Sequence, residues 1–258
     1  MRSGRRHPAA LLAVIVVGLA STGAAYAAVT TQTSPRQVVA SETQVEQGKD
    51  LFLEGCSTCH GLAGQGSTDG PSLIGVGSAA VDFQVGSGRM PLAGPGIQAK
   101  PNTPSYNEEQ IAAMAAWVAT LGPGPKIPTA EMISTSGTDL ALGGELFRTN
   151  CSQCHSVSAH GGALSQGGWA PSLMTAEPKE IYEAMVTGPQ AMPKFSDQTI
   201  TVSEKRDIIR YIAELQAQEN PGGYGLGRLG PVTEGLFLWV AGLGALLVVA
   251  VWIGARAR

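Results

Sequence analysis

Cys56-Ser57-Thr58-Cys59-His60 returns 95 positions later (151 against 56) as Cys151-Ser152-Gln153-Cys154-His155, and the two copies use all 4 cysteines of the chain. On a short helical turn, residues i and i+3 share one face. Both sulfurs therefore reach one edge of a flat ring while the next residue, histidine, rises beneath its centre. Two thiols adding to the two vinyl groups on one edge of a porphyrin need this spacing, and C-x-x-C-H is the attachment pattern of c-type haem. The imidazole then becomes the proximal iron ligand. A tetrahedral zinc site would need the cysteine pairs to converge, and a thioredoxin-like pair would sit in a βαβ pattern that this chain lacks. The expectation is two covalently bound haem c groups, one on Cys56 and Cys59 with His60 as ligand, the other on Cys151 and Cys154 with His155.

Composition agrees. The chain has 258 residues, only 14% of them charged, with a formal charge of −3. Nucleic acid is excluded as a partner, since that would call for a basic stripe. Aromatics make up 5%, and 34 Gly with 16 Pro imply much loop. A haem lets such loop-rich domains hold together, because it supplies apolar surface that a small chain cannot provide from its own core.

Both ends speak to a membrane. Residues 235–254 (GLFLWVAGLGALLVVAVWIG) carry no charge, and as a helix they would extend about 30 Å, the thickness of the hydrocarbon core. Trp239 and Trp252 lie near the two ends of this run, and Arg256 and Arg258 follow it. By the positive-inside tendency those arginines mark the cytoplasmic side. The expected location is the cell membrane, with everything before Glu234 on the extracytoplasmic side. At the other end, Arg2, Arg5 and Arg6 precede an apolar run from Ala9 to Ala20, then Ser21, Thr22 and Ala25-Tyr26-Ala27. Residues 1–28 read as an export signal, either cleaved after the A-x-A triplet or retained as a second anchor.

Between the ends lies an internal repeat. At the same offset, Gly48-Lys49-Asp50-Leu51-Phe52 falls over Gly143-Gly144-Glu145-Leu146-Phe147. Beyond the histidines, Gly70-Pro71-Ser72-Leu73 answers Ala170-Pro171-Ser172-Leu173, and Arg89-Met90-Pro91 answers Ala191-Met192-Pro193. Each half ends in a segment of helical period. The first opens at Asn107 with Gln110 three residues on, as in a capping box, and runs through Ile111, Met114, Ala115, Trp117 and Val118. The second starts near Ser203 and carries Ile208, Ile209, Tyr211, Ile212 and Leu215.

This order of landmarks resembles the class I cytochrome c fold, over Glu42–Leu121 and Asp139–Leu215. The implied architecture is all-α: an export signal or anchor at 1–28, cytochrome c domains at 42–122 and 139–219, a Gly/Pro-rich linker at 123–138, a Gly-rich connector at 220–234 and a transmembrane helix at 235–254. In that family the loop proline's carbonyl accepts the proximal histidine's Nδ1–H, and Pro71 and Pro171 are the matching positions. For the sixth ligands, Met90 and Met192 sit in loops before proline at matching distances from their motifs. Met114 and Met185 fall on helices, Met132 in the linker, and Met174 near the Pro171 loop is a rival. Bis-histidine ligation is disfavoured because only His7, in the export segment, and His160, close to His155, remain.

His/Met coordination fills both axial positions, which suits a carrier rather than a site that binds peroxide or dioxygen. Electron transfer is the expected function; a dihaem redox enzyme and a dihaem cytochrome subunit of another respiratory oxidase are the alternatives. The Gly225-Leu226-Gly227-Arg228-Leu229-Gly230-Pro231-Val232 run before the apolar helix makes the whole chain similar to the dihaem cytochrome c subunits of actinobacterial menaquinol–cytochrome c reductases, the bcc complexes. The resemblance implies a subunit of a proton-translocating complex in which the chain itself only carries electrons. Its partners would be the cytochrome b subunit, the Rieske iron–sulfur subunit and a cytochrome aa3 oxidase.

Overall fold

The structure, a computed structural model, describes residues 8–33, 40–94, 96–218, 225–226 and 231–256. It divides into two compact units, Met1–Ser41 and Glu42–Arg258. The first contains one helix, α1 (Pro8–Thr33), whose segment Leu12–Ala25 is apolar but short for a membrane span. Arg2, Arg5 and Arg6 of the expected export signal, most of the connector and Arg258 lie outside the described residues.

In the second unit, α2 (Glu42–Gly55) leads directly into a single turn, α3 (Ser57–His60), that carries the first motif. After a loop come α4 (Ser78–Gly86) and α5 (Glu108–Thr120). Asn107 caps α5 as expected: its side chain accepts the Gln110 amide at 2.9 Å, and the Gln110 side chain accepts the Asn107 amide at 3.0 Å. α2 and α5 pack closely because α2 presents a glycine at the contact. A Cβ on Gly48 would come within 1.9 Å of the Ala113 carbonyl oxygen. One turn further on, Phe52 lies against Trp117 with ring centroids 4.3 Å apart. Phe52, Ile111, Met114, Ala115, Trp117 and Val118 are buried together as the first core.

The second half repeats this construction. α7 (Leu140–Asn150), capped by Asp139, runs into the turn α8 (Ser152–His155), and α9 (Pro178–Thr187) and α10 (Val202–Ala217) follow. Gly143 takes the place of Gly48, its Cβ position 2.0 Å from the Asp207 carbonyl oxygen, and Phe147 meets Tyr211 at 5.4 Å. Phe147, Ile208, Ile209 and Ile212 are the centre of a separate second core. An added feature is a two-residue antiparallel ribbon, β1 (Gly162–Ala163) with β2 (Trp169–Ala170), just before the Pro171 loop.

The linker is built into both halves. Ile127 packs on the first core, while Met132 and Ile133, from the short helix α6 (Ala130–Ile133), pack on the second. The two halves also touch directly through α4 and α9, where Asp82 pairs with Lys179. Beyond the connector, α11 (Pro231–Phe237), a π-helical segment (Leu238–Leu243) and α12 (Gly244–Arg256) run on from one another. Among the described residues, Thr233–Arg256 is the helix long and apolar enough to cross a membrane, with a mean hydropathy of 2.5 and no part of it buried against protein. The Arg256 guanidinium lies 4.8 Å above the Trp252 ring at its end.

The glycine contacts give a direct test of the paired helix crossing. Gly48→Ala and Gly143→Ala must each push two helices apart and should cost about 1–3 kcal/mol, as overpacking does. Gly86→Ala on α4, where a Cβ meets nothing within 4 Å, should be neutral or stabilise by up to about 1 kcal/mol. Chemical denaturation of the three variants checks this ordering, and equal effects at all three sites would contradict the crossing.

Candidate haem sites

Each motif is positioned by the helix that precedes it. The Cys56 amide bonds the Phe52 carbonyl at 2.8 Å and Cys151 bonds Phe147 at 2.9 Å, so the chain leaves α2 and α7 in register with the buried aromatic. The His60 amide then bonds the Cys56 carbonyl at 3.0 Å, and His155 bonds Cys151 at 2.9 Å. These bonds close the turn that carries both cysteines of each motif. In each pair one cysteine is partly buried, Cys56 or Cys151, and the other, Cys59 or Cys154, is exposed.

The loops beyond the histidines converge on the rings. His60 Nδ1 lies 2.7 Å from the Pro71 carbonyl oxygen, and His155 Nδ1 lies 2.9 Å from that of Pro171. A carbonyl only accepts, so Nδ1 carries the proton in both rings and Nε2 keeps its lone pair. Backbone bonds hold the loops in place: Gly66 to the His60 carbonyl at 2.7 Å, and Gly161 to the His155 carbonyl at 2.9 Å. The residue after each histidine turns the chain with a positive φ, 78° at Gly61 and 61° at Ser156. Only the first copy places there the residue that adopts this conformation without strain.

The methionines sort by domain. Met90 borders the first core together with Cys56. Met192 borders the second with Cys151, and so does Met174, its rival. Met114 and Met185 are 2% exposed on helices, as their sequence context implied. His160 is occupied locally, its Nδ1 2.8 Å from the Ser158 carbonyl oxygen. The donor set fits haem c: a thiol pair on one turn, a neutral imidazole with a free Nε2, and a thioether loop beside the same core. Burial, helped by the charge of Cys154, pushes the Cys151 thiol up to about 11. Burial, opposed by the bond to Pro171, lowers His155, which favours the neutral imidazole.

One ionisable group stands out between the domains. Glu183 on α9 is 1% exposed and faces Asp82 of α4, with Lys179 and Glu180 alongside. Burial first, then the hydrogen bond and charge of Asp82, push its carboxyl up to about 9.

Fold and site together define a tandem c-type cytochrome with a C-terminal apolar helix. The family model described as "Cytochrome c" matches residues 45–122, and the one described as "Cytochrome C oxidase, cbb3-type, subunit III" matches residues 138–212. Over almost its whole length the chain is similar to curated proteins named "Cytochrome bc1 complex cytochrome c subunit". It is 45% identical to that of Corynebacterium efficiens, covering 99% of this chain and 91% of that protein. It is 46% identical to that of Corynebacterium diphtheriae, with 97% and 95% covered, and 45% identical to that of Mycobacterium leprae, with 95% and 87% covered. The chain belongs to the family of cytochrome c subunits of the cytochrome bc1 complex.

The Glu183 site makes stability depend on pH. In the unfolded chain this carboxyl ionises near 4.5, and in the folded chain near 9. Between those values unfolding releases a proton, so the stability this group confers falls as the pH rises through the window. Glu183→Gln keeps a hydrogen-bonding amide and removes the titration. Its melting temperature should gain on the natural protein between about pH 5 and about pH 8; parallel melting curves across that range would contradict the assignment.

Proposed function

We propose that this chain is the dihaem electron carrier of a respiratory menaquinol–cytochrome c reductase of the bcc type. It would take one electron from the Rieske iron–sulfur subunit at the first domain and deliver it from the second to a cytochrome aa3 oxidase. The observation that carries this reading is the duplicated motif with each histidine's Nδ1–H bound to a proline carbonyl, at 2.7 and 2.9 Å. Bound haem would supply a one-electron iron couple at each motif, attached through Cys56 and Cys59 or Cys151 and Cys154.

The chain's own residues do the rest. His60 and His155 would ligate through Nε2, their rings oriented and made more basic by Pro71 and Pro171. Met90 and Met192 would close the opposite face, excluding peroxide and dioxygen and raising the potential through the thioether. No bond is made or broken by the chain, and proton translocation belongs to the complex. The apolar helix with Arg256 at its end supports anchoring beside a cytochrome b subunit with the haem domains on the extracytoplasmic side. The match of residues 138–212 to a model named for an oxidase subunit favours a second reading, a dihaem subunit of another respiratory oxidase.

Two experiments test the proposal. Replacing Cys56 and Cys59 by Ala should leave one covalent haem per chain by pyridine haemochrome assay, and the same should hold for Cys151 and Cys154; fewer than two in the natural protein would end this reading. A chain truncated after Glu219 should bind both haems yet fail to support menaquinol-driven oxygen consumption at native expression, because tethering supplies the effective concentration. Full respiration by the truncated, exported protein would point to a free carrier instead.

A further inference from the structure

Two glutamine side chains cross from one cytochrome domain to the other, and each meets backbone. The Gln98 amide nitrogen donates to the Trp169 carbonyl at 2.6 Å, and its oxygen accepts the Trp169 N–H at 2.9 Å. In the reverse direction, Gln190 donates to the Ala99 carbonyl at 3.1 Å and accepts the Ala99 N–H at 3.1 Å. A primary amide offers a donor and an acceptor side by side, as a peptide group does. Each glutamine therefore closes a two-bond ring with one residue of the other domain. Both clamps are uncharged, so salt does not screen them as it screens the Asp82–Lys179 pair.

Their places in the chain give them meaning. Gln98 and Ala99 lie in the loop that follows Met90. Trp169 stands two residues before Pro171, whose carbonyl holds His155. Gln190 stands two residues before Met192, with its backbone at φ 57°, a conformation uncommon for anything but glycine. The methionine loop of the first domain thus grips both axial loops of the second, the one behind the histidine and the one that presents the methionine.

We infer that Gln98 and Gln190 are positioning residues for the second haem site, fixing its His155 and Met192 loops against the Met90 loop of the first domain and so setting the spacing across which one electron passes between the domains. One electron leaves the first site and arrives at the second, with no bond formed or broken. The inference rests on the ligand assignment proposed above.

The test uses the full-length haem-loaded protein and the variants Gln98→Leu, Gln190→Leu, the double variant, and Gln190→Glu, which keeps an acceptor for the Ala99 N–H. Covalent haem content, backbone amide exchange, the midpoint potential of each centre and the interdomain electron-transfer rate after photoreduction are measured together. The double variant should keep two haems, lose exchange protection at Ala99 and Trp169, shift the potential of the second centre with the first unchanged, and slow interdomain transfer. Gln190→Glu should retain protection at Ala99. If the double variant fails to mature, each single leucine variant should show its own half of these changes. Retained haems with an unmoved second potential and an unchanged rate would overturn the positioning role alone. Fewer than two covalent haems in the natural protein would overturn the ligand assignment and this inference with it.

Discussion

The bond from a histidine Nδ1–H to a proline carbonyl is the constraint on which the rest of each domain depends. It decides the tautomer, and the tautomer decides that Nε2 faces away with a lone pair. It also ties the turn that carries the cysteines to the proline loop, 11 residues on in the first half and 16 in the second. The turn itself is aimed from behind by Phe52 and Phe147, whose carbonyls take the amide of the first cysteine in each motif. Those aromatics are buried because a glycine four residues earlier lets the N- and C-terminal helices of the domain approach. Core packing and ligand geometry are therefore one arrangement, made twice.

The two copies are joined more closely than a linker alone would join them. Residues of the 123–138 segment pack on both cores, α4 lies against α9, and amide clamps connect the loops around the proposed axial ligands. For a carrier this matters because a fixed spacing removes the search step between two centres. Burying Glu183 at the α4–α9 contact has a cost that rises with pH; the hydrogen bond to Asp82 and its charge add to that cost, and the neighbouring Lys179 offsets part of it.

Much of the fold was legible from the sequence because its determinants are local or repeated. The Asn107–Gln110 capping box, the Gly48 and Gly143 positions and the helix Pro178–Thr187 all follow from short-range pattern. Helix α4 was not legible in the same way. Ala79, Val81, Phe83 and Val85 are buried at every second position, a strand-like pattern. The segment is nonetheless helical, because α5 covers one side and α9 the other, so two faces of one helix are buried. The glutamine clamps were invisible for a different reason. Their partners lie 71 and 91 residues away, and a glutamine in a loop carries no signal of what it will meet. Spacing singled out Met192, with Met174 as its rival near the Pro171 loop, and both border the second core.

Electron transfer through both motifs requires one chain to carry two covalent haems inside a respiratory complex. Native mass spectrometry of the complex extracted gently from membranes addresses this in a single measurement. The expected result is that the chain, heavier than its polypeptide by two haems, is found assembled with a cytochrome b subunit and a Rieske iron–sulfur subunit. A chain with fewer than two haem adducts, or one that flies free of any quinol-oxidising partner, would contradict it.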